Sequence, residues 1–352
     1  MNSKIKQFIG GQWGQRVLIL LIIFIVMAIF EPKFFTTGNA SSILLAISVY
    51  GIMACGMLFV VLIGGLDLSV GSMAGLSAVI ISVFASRDNF GLGGCMLGLL
   101  AALAAAIFVG YIHGVLVTHI GMQSFVVTLA TKYVLYGIVP TFTGGAFIYF
   151  QGTGFMFQVG NARPLGIPLP IIIFLLIAVI CGIVLSRTTF GRRLYAIGGN
   201  PTASALVGVR VFRDTKIAYI VSCVTSAIGG LILCSMNMVA GQTTANNYEG
   251  NVLLAMIVGG INLAGGEGGI SGAVFGALLA GIITNLMTLL GVSADFQKFV
   301  QGMIILAAVI LNVYTSRRSA GLGSLRRRRR KHKAEETDAA RKTAETPQEK
   351  AG

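Results

Sequence analysis

The sequence predicts an all-α polytopic membrane protein with about ten transmembrane helices and both termini cytoplasmic. Three observations carry this. Of 352 residues, 55% are hydrophobic and only 11% charged, with a mean hydropathy of +0.85. A soluble domain carries about 25% charged residues, so this chain has too little polar surface to cover its apolar mass, and a bilayer must be its solvent. It also holds 47 glycines, and small residues let membrane helices approach closely. Finally, its interior positive charges gather in one long connection and at the ends of the apolar region.

Apolar stretches of spanning length place helices at Val17–Phe30, Ile43–Ile63, Leu68–Ala85, Gly93–Val117, Ser124–Phe142, Pro168–Ser186, Ile217–Met238, Val252–Ala264, Ile270–Leu290 and Phe296–Tyr314. No small-residue cleavage site follows the first stretch, so it reads as a retained helix rather than a signal peptide. The eighth is short and glycine-rich, open to being a broken or re-entrant element buried by its neighbours. With ten spans and cytoplasmic termini, Lys4, Lys6, Arg16, the basic residues of segment 187–215 with Lys216, and Arg317-Arg318 all fall on the cytoplasmic side, as the positive-inside rule requires. Residues 1–16 are then a cytoplasmic lead-in, 17–316 the membrane domain, and 317–352 a basic cytoplasmic tail. Within the tail, Arg326 to Lys331 forms an unbroken basic run. It reads as a disordered segment that fixes topology and touches anionic membrane lipid. No folded nucleic-acid module accompanies it, so no nucleic-acid partner is expected. The five cysteines lie in apolar stretches without paired spacing and read as small core residues.

Segment 187–215 is the one long polar interruption, and connections of that length are usually functional or disordered. Within it, Asn200 suits a helix N-cap, Pro201 the first helical position and Gly208 a left-handed C-cap, with Ala205 and Leu206 between. Gly198-Gly199 is expected to supply the turn into this helix. Two turns are too few to be stable alone, so the helix needs a partner surface. Leu194, Tyr195 and Ile197 offer apolar contacts beside it, and Arg192 and Arg193 can meet phosphate headgroups or an acidic partner.

A second signature, Gly64-Gly65-Leu66-Asp67-Leu68-Ser69-Val70-Gly71-Ser72, joins the second and third spans. Gly64-Gly65 can close one helix, and Asp67 or Ser69 can cap the next. Asp67 is one of very few carboxylates near hydrocarbon, which admits a substrate or proton role, but its place before a helix start favours the cap. Lys132 lies about two turns into its span and is expected to snorkel to the interface. His113 and His119 are isolated in sequence and are assigned to no metal. A third cluster, Val258 to Gly272, is glycine-rich. Gly272 and Gly276 form a small-xxx-small face for close helix crossing, whereas Gly265, Gly266 and their neighbours lack the Gly-Lys-Ser/Thr ending of a phosphate loop.

At GGLDLSVGS (64–72), GRRLYAIGGNPTASALVGVRV (191–211) and IVGGINLAGGEGGISGAVFGALLAGIITNLMTLLGV (257–292), the chain resembles permease subunits of bacterial ATP-binding-cassette importers, in the branch serving ribose, xylose, galactose and related sugars. The resemblance covers roughly Gly38 to Tyr314. It implies a multi-pass protein of the bacterial plasma (inner) membrane that works with a second permease subunit in a homo- or heterodimer, an ATPase subunit and an extracytoplasmic sugar-binding protein. ATP and Mg would be bound by the ATPase, with no cofactor or metal in this chain, which would hydrolyse nothing itself. It also implies that Asn200 to Gly208 is the coupling helix, approached through Gly191, Arg192, Arg193, Tyr195, Gly198 and Gly199. The stretch Gln123 to Thr128, Lys132 and the run from Asn251 depart from the usual pattern, and these bear on cargo rather than energy source. Nucleosides or branched-chain amino acids are alternative cargoes. An ion-coupled carrier is the competing class, disfavoured by the scarcity of intramembrane carboxylates.

Overall fold

The computed structural model describes residues 31–86, 91–149, 154–307 and 310. The chain divides into compact units at 1–305 and 306–352, and the helical bundle belongs to the first. Its helices are α1 (Thr37–Leu62), α2 (Val70–Ala85), α3 (Gly91–Thr118), α4 (Ser124–Thr143), α5 (Phe155–Asn161), α6 (Leu169–Arg187), α7 (Thr189–Gly199), α8 (Pro201–Leu206), α9 (Val211–Asn237), α10 (Tyr248–Val258) and α11 (Ile270–Leu289), with residues 294–305 also helical. The expected first span, the basic tail and the end of the tenth span lie outside the described residues.

Six of these helices, α1, α3, α4, α6, α9 and α11, are long and apolar enough to cross a membrane, while α2 and α10 are shorter. Burial sorts them into layers. In the most apolar stretches of α1 and α9, 83% and 72% of residues are buried, against 22% in α3 and α4 and 28% in α6. The helices α1 and α9 therefore form the core. The outer helices turn Leu97, Leu100 and Phe108, or Leu175, Leu176 and Val179, outward, which is affordable only where lipid is the solvent. Glycines set the spacing inside. A Cβ on Gly110 or Gly114 of α3 would strike the backbone of α9 at Ile220 and Lys216, and one on Gly276 of α11 would strike Ala255 of α10. The expected Gly272/Gly276 face is thus a real close crossing.

Several expectations are corrected. The helical class stands, with one two-residue ladder in which Ile148–Tyr149 pairs antiparallel with Val239–Ala240, while α5 lies in the stretch between the fifth and sixth expected spans, where no helix is expected. The eighth span is not Val252–Ala264. It starts at Tyr248 and stops at Val258, because Gly259 lies against Gly272 and Gly260 takes φ +72°, a conformation glycine adopts cheaply. Tyr248 packs at a tilt against Tyr50, with ring centroids 4.9 Å apart and planes 54° from parallel, at the midpoint of α1. The Gly266 N–H donates to the Leu62 carbonyl at the end of α1 (2.9 Å). Between Tyr248 and Gly266 the chain therefore travels only the second half of the length of α1. This is the broken, internally buried element that the glycines allowed. The long polar segment is also mostly helical: α7 follows α6 at once, and α9 begins at Val211 rather than Ile217, taking Arg213 and Lys216 into its first turns.

Candidate functional site

The three signature segments meet at the end of the bundle where α1 finishes. α1 closes with Gly64 at φ +79°, Gly64 N–H donating to Val61 and Gly65 N–H to Val60. This paired arrangement satisfies the last carbonyls of a helix, as expected of Gly64-Gly65. A Cβ on Gly198 would occupy the space of the Leu62 carbonyl and the Gly266 backbone, and one on Gly265 (φ +93°) would meet Gly64 and Gly198. Segments distant in sequence thus touch backbone to backbone, an approach that leaves no room for a Cβ at Gly198 or Gly265.

α7 is amphipathic, with Gly191, Leu194 and Ile197 buried. Thr188 breaks the chain direction after α6 and accepts from Gly191 N–H (3.2 Å). Only glycine fits at position 191, because a Cβ there would overlap the Leu185 backbone. Arg193 forms an ion pair with Asp214 (2.6 Å), which is buried in the first turn of α9; Arg192 is exposed. Tyr195 donates to the Gly268 carbonyl (2.9 Å). Burial raises the Tyr195 phenol above its ordinary range, so it remains a donor at any physiological pH.

From that platform α8 projects. Asn200 accepts from Ala203 N–H (2.9 Å) and Pro201 opens the helix. At its other end Gly208 (φ +84°) donates to Ala205, and Val209 to Ser204, completing the same closing arrangement as in α1. The capping reading holds residue by residue. One part is corrected: Gly198-Gly199 is not a turn but the last turn of α7, and Asn200 both ends α7 and starts α8. Only Ser204 of α8 is buried, while Leu206 and Val207 are 84% and 80% exposed. A capped helix presenting bare apolar side chains, with an ion-paired helix behind it, is suited to receive another protein surface.

Asp67 is fully buried, but it is not the cap expected. Its Oδ1 accepts from Ser69 N–H (3.0 Å) and Ser69 Oγ (2.6 Å), and its Oδ2 from Ser222 Oγ on α9 (2.7 Å). It holds the turn before α2 and pins it to the core helix. Ser69 takes the cap position without a side-chain cap bond; its hydroxyl is turned toward Asp67, to which it donates. Gly71 admits Glu249 against α2. His113 is not isolated either. Among the described residues, Asp67, His113 and Cys223, all buried, bring ligand-type atoms within 4.8 Å of one another, the one set able to hold a metal.

Sequence reasoning missed two ties. Ser124 Oγ donates to the Leu66 carbonyl (2.7 Å) and accepts from Leu66 N–H (2.8 Å) and Tyr219 Oη (2.5 Å), with Thr128 Oγ1 also on Leu66 (3.1 Å). The Gln123–Thr128 stretch therefore anchors the second signature. Lys132 does not snorkel: it pairs with Glu249 at 2.7 Å, with side chains 23% and 7% exposed. That pairing needs α10 to start inside the bundle, which no local sequence signal announces.

The chain matches the family described as "Branched-chain amino acid transport system / permease component" over residues 39–309. It is 38% identical over 296 residues to the ribose import permease protein of Bacillus subtilis (strain 168), covering 83% of this chain and 90% of that one. It is 37% identical over 308 residues to the L-arabinose transport system permease protein of Escherichia coli (strain K12), covering 87% and 92%. With the ribose import permease protein of the same strain it shares 34% over 300 residues, covering 84% and 92%. No solved structure matches it. Matched along most of its length, and folded into apolar helices whose outer faces only lipid can cover, the chain belongs to the permease family of bacterial ATP-binding-cassette importers, as a multi-pass inner-membrane protein of its sugar-permease branch.

Proposed function

We propose that this chain forms the membrane pathway of an ATP-driven importer for a monosaccharide of the ribose or arabinose kind, delivered by an extracytoplasmic binding protein. A separate ATPase, carrying ATP and Mg, docks on α8, and a second permease subunit completes the pathway. The α1 end of the bundle is cytoplasmic. The observation that carries this reading is α8 itself: a helix capped at both ends, exposing Leu206 and Val207 on a platform locked to α1 and to the loop before α11. ATPase closure pressing on α8 would reach α1 through Gly198 and α11 through Gly265-Gly266, as alternating access requires. No metal is assigned to this chain, since the Asp67 oxygens already accept three hydrogen bonds.

The family description favours a second cargo, a branched-chain amino acid. The sugar reading rests on relatives named for ribose and arabinose. An ion-coupled carrier is disfavoured because the buried Glu249 is already neutralised by Lys132. In reconstituted vesicles, sugar uptake should require the cognate ATPase, the binding protein and ATP. Uptake by this chain alone under an ion gradient would overturn the proposal, and uptake of leucine in place of pentose would move the cargo.

A further inference from the structure

We propose that the groove between α3 and the start of α9 is a binding site for an anionic phospholipid of the inner leaflet, seated directly behind α8. The groove encloses about 680 Å³. Its rim carries Arg210, Arg213 and Lys216, and among the described residues none of the three has a carboxylate partner; the adjacent Asp214 is taken by Arg193. Its walls are apolar, with Tyr111 and Phe212 both about half exposed. The Lys216 ammonium lies over the Tyr111 ring, 5.5 Å from its centroid.

Three physical features select a lipid over a free anion. The basic residues come just before the apolar part of α9, which begins at Ile217, so they sit where the chain enters hydrocarbon. From the groove, α3 continues outward with Ile107 and Phe108 exposed, a greasy track for an acyl chain beneath a cationic headgroup seat. Unpaired cations at this depth attract anionic headgroups at about fivefold in affinity per charge, and the apolar wall adds chain burial that free phosphate cannot use. Ala205 and Val209 close the groove on the α8 side, so a bound lipid braces the back of the helix whose front exposes Leu206. This bracing rests on the docking function proposed above, and the choice of the inner leaflet on the orientation proposed with it; the headgroup seat itself rests on neither.

The purified chain should retain phosphatidylglycerol over acyl-matched phosphatidylcholine in native mass spectrometry. Arg210→Gln with Arg213→Gln should weaken retention on the order of twentyfold, leaving any binding by the basic tail as the common background. A phosphatidylglycerol with a photoreactive acyl chain should label the wild-type chain around residues 107–111 and 217–220, a measurement that needs no variant. Equal retention by the double variant, or labelling confined elsewhere, would overturn the site. Full competition by water-soluble glycerophosphate would overturn the lipid assignment in favour of a free anion. Cross-linking of Arg210 and Arg213 to an acidic ATPase segment, with no lipid effect, would assign the groove to the partner instead. Failure of ATP-dependent uptake alongside intact lipid retention would strike the docking function alone.

Discussion

Replacing Lys132 with Met should strip the charge partner from Glu249 and leave a carboxylate stranded inside the bundle. The Glu249 side chain is only 7% exposed and its Oε1 lies 2.7 Å from the Lys132 ammonium; its Oε2 is buried without a hydrogen-bond partner. Breaking such a pair from one side costs about 3–5 kcal/mol, mostly because the remaining charge is unpaired. Glu249→Gln should cost less, about 1–2 kcal/mol, because Lys132 is 23% exposed and its long stem can carry the ammonium toward the surface. The double variant Lys132→Met/Glu249→Gln should recover much of the loss, giving a coupling energy of about 2–3 kcal/mol. Reversible unfolding of the four proteins in mixed detergent–SDS micelles reads this cycle. Additive losses, with coupling below about 0.5 kcal/mol, would refute the buried pair and return Lys132 to the interface.

Leu206→Asp should leave folding intact, since the side chain is exposed, yet abolish stimulation of transport by the ATPase; unchanged coupled uptake would mean that another face docks. Asn200→Ala should cost α8 about 1 kcal/mol through loss of its N-cap bond, read as reduced uptake per ATP hydrolysed. Gly198→Leu should sharply lower the yield of folded protein, because its side chain would enter the space of Leu62 and Gly266; a normally folded, fully coupled Gly198→Leu would show that the three segments do not meet there. Ser124→Ala should destabilise by about 1–3 kcal/mol, as it leaves the Leu66 amide and the Tyr219 hydroxyl without their partner, measured by the same unfolding assay.

Much of this molecule follows from local chemistry. Asn200, Pro201 and Gly208 dictate α8 because capping needs only a side-chain oxygen, a residue without an N–H and a residue tolerant of positive φ within a few positions of one another. Gly64-Gly65 ends α1 on the same terms. Hydropathy places the long helices because hydrocarbon tolerates little else. Other features depended on neighbours. Val252–Ala264 was apolar enough to pass as a span, yet α10 begins at Tyr248 because Tyr50 and Lys132 wait inside the bundle for Tyr248 and Glu249. Asp67 carried the signature of a cap, but Ser222, 155 positions away, made it a tie to α9.

The sequence by itself determined that this chain lives in a membrane, which segments are apolar helices, and that a capped polar helix interrupts them. Those properties arise from solvation and from hydrogen bonds within a few residues. Only the tertiary structure decided that Gly64, Gly198 and Gly265 share one contact, that Lys132 has a buried partner, and that Leu206 faces outward while Leu194 faces in. Each of these depends on the mutual position of distant helices, and hydropathy, which reads only the preference of a segment for lipid over water, carries no information about which apolar helix packs against which.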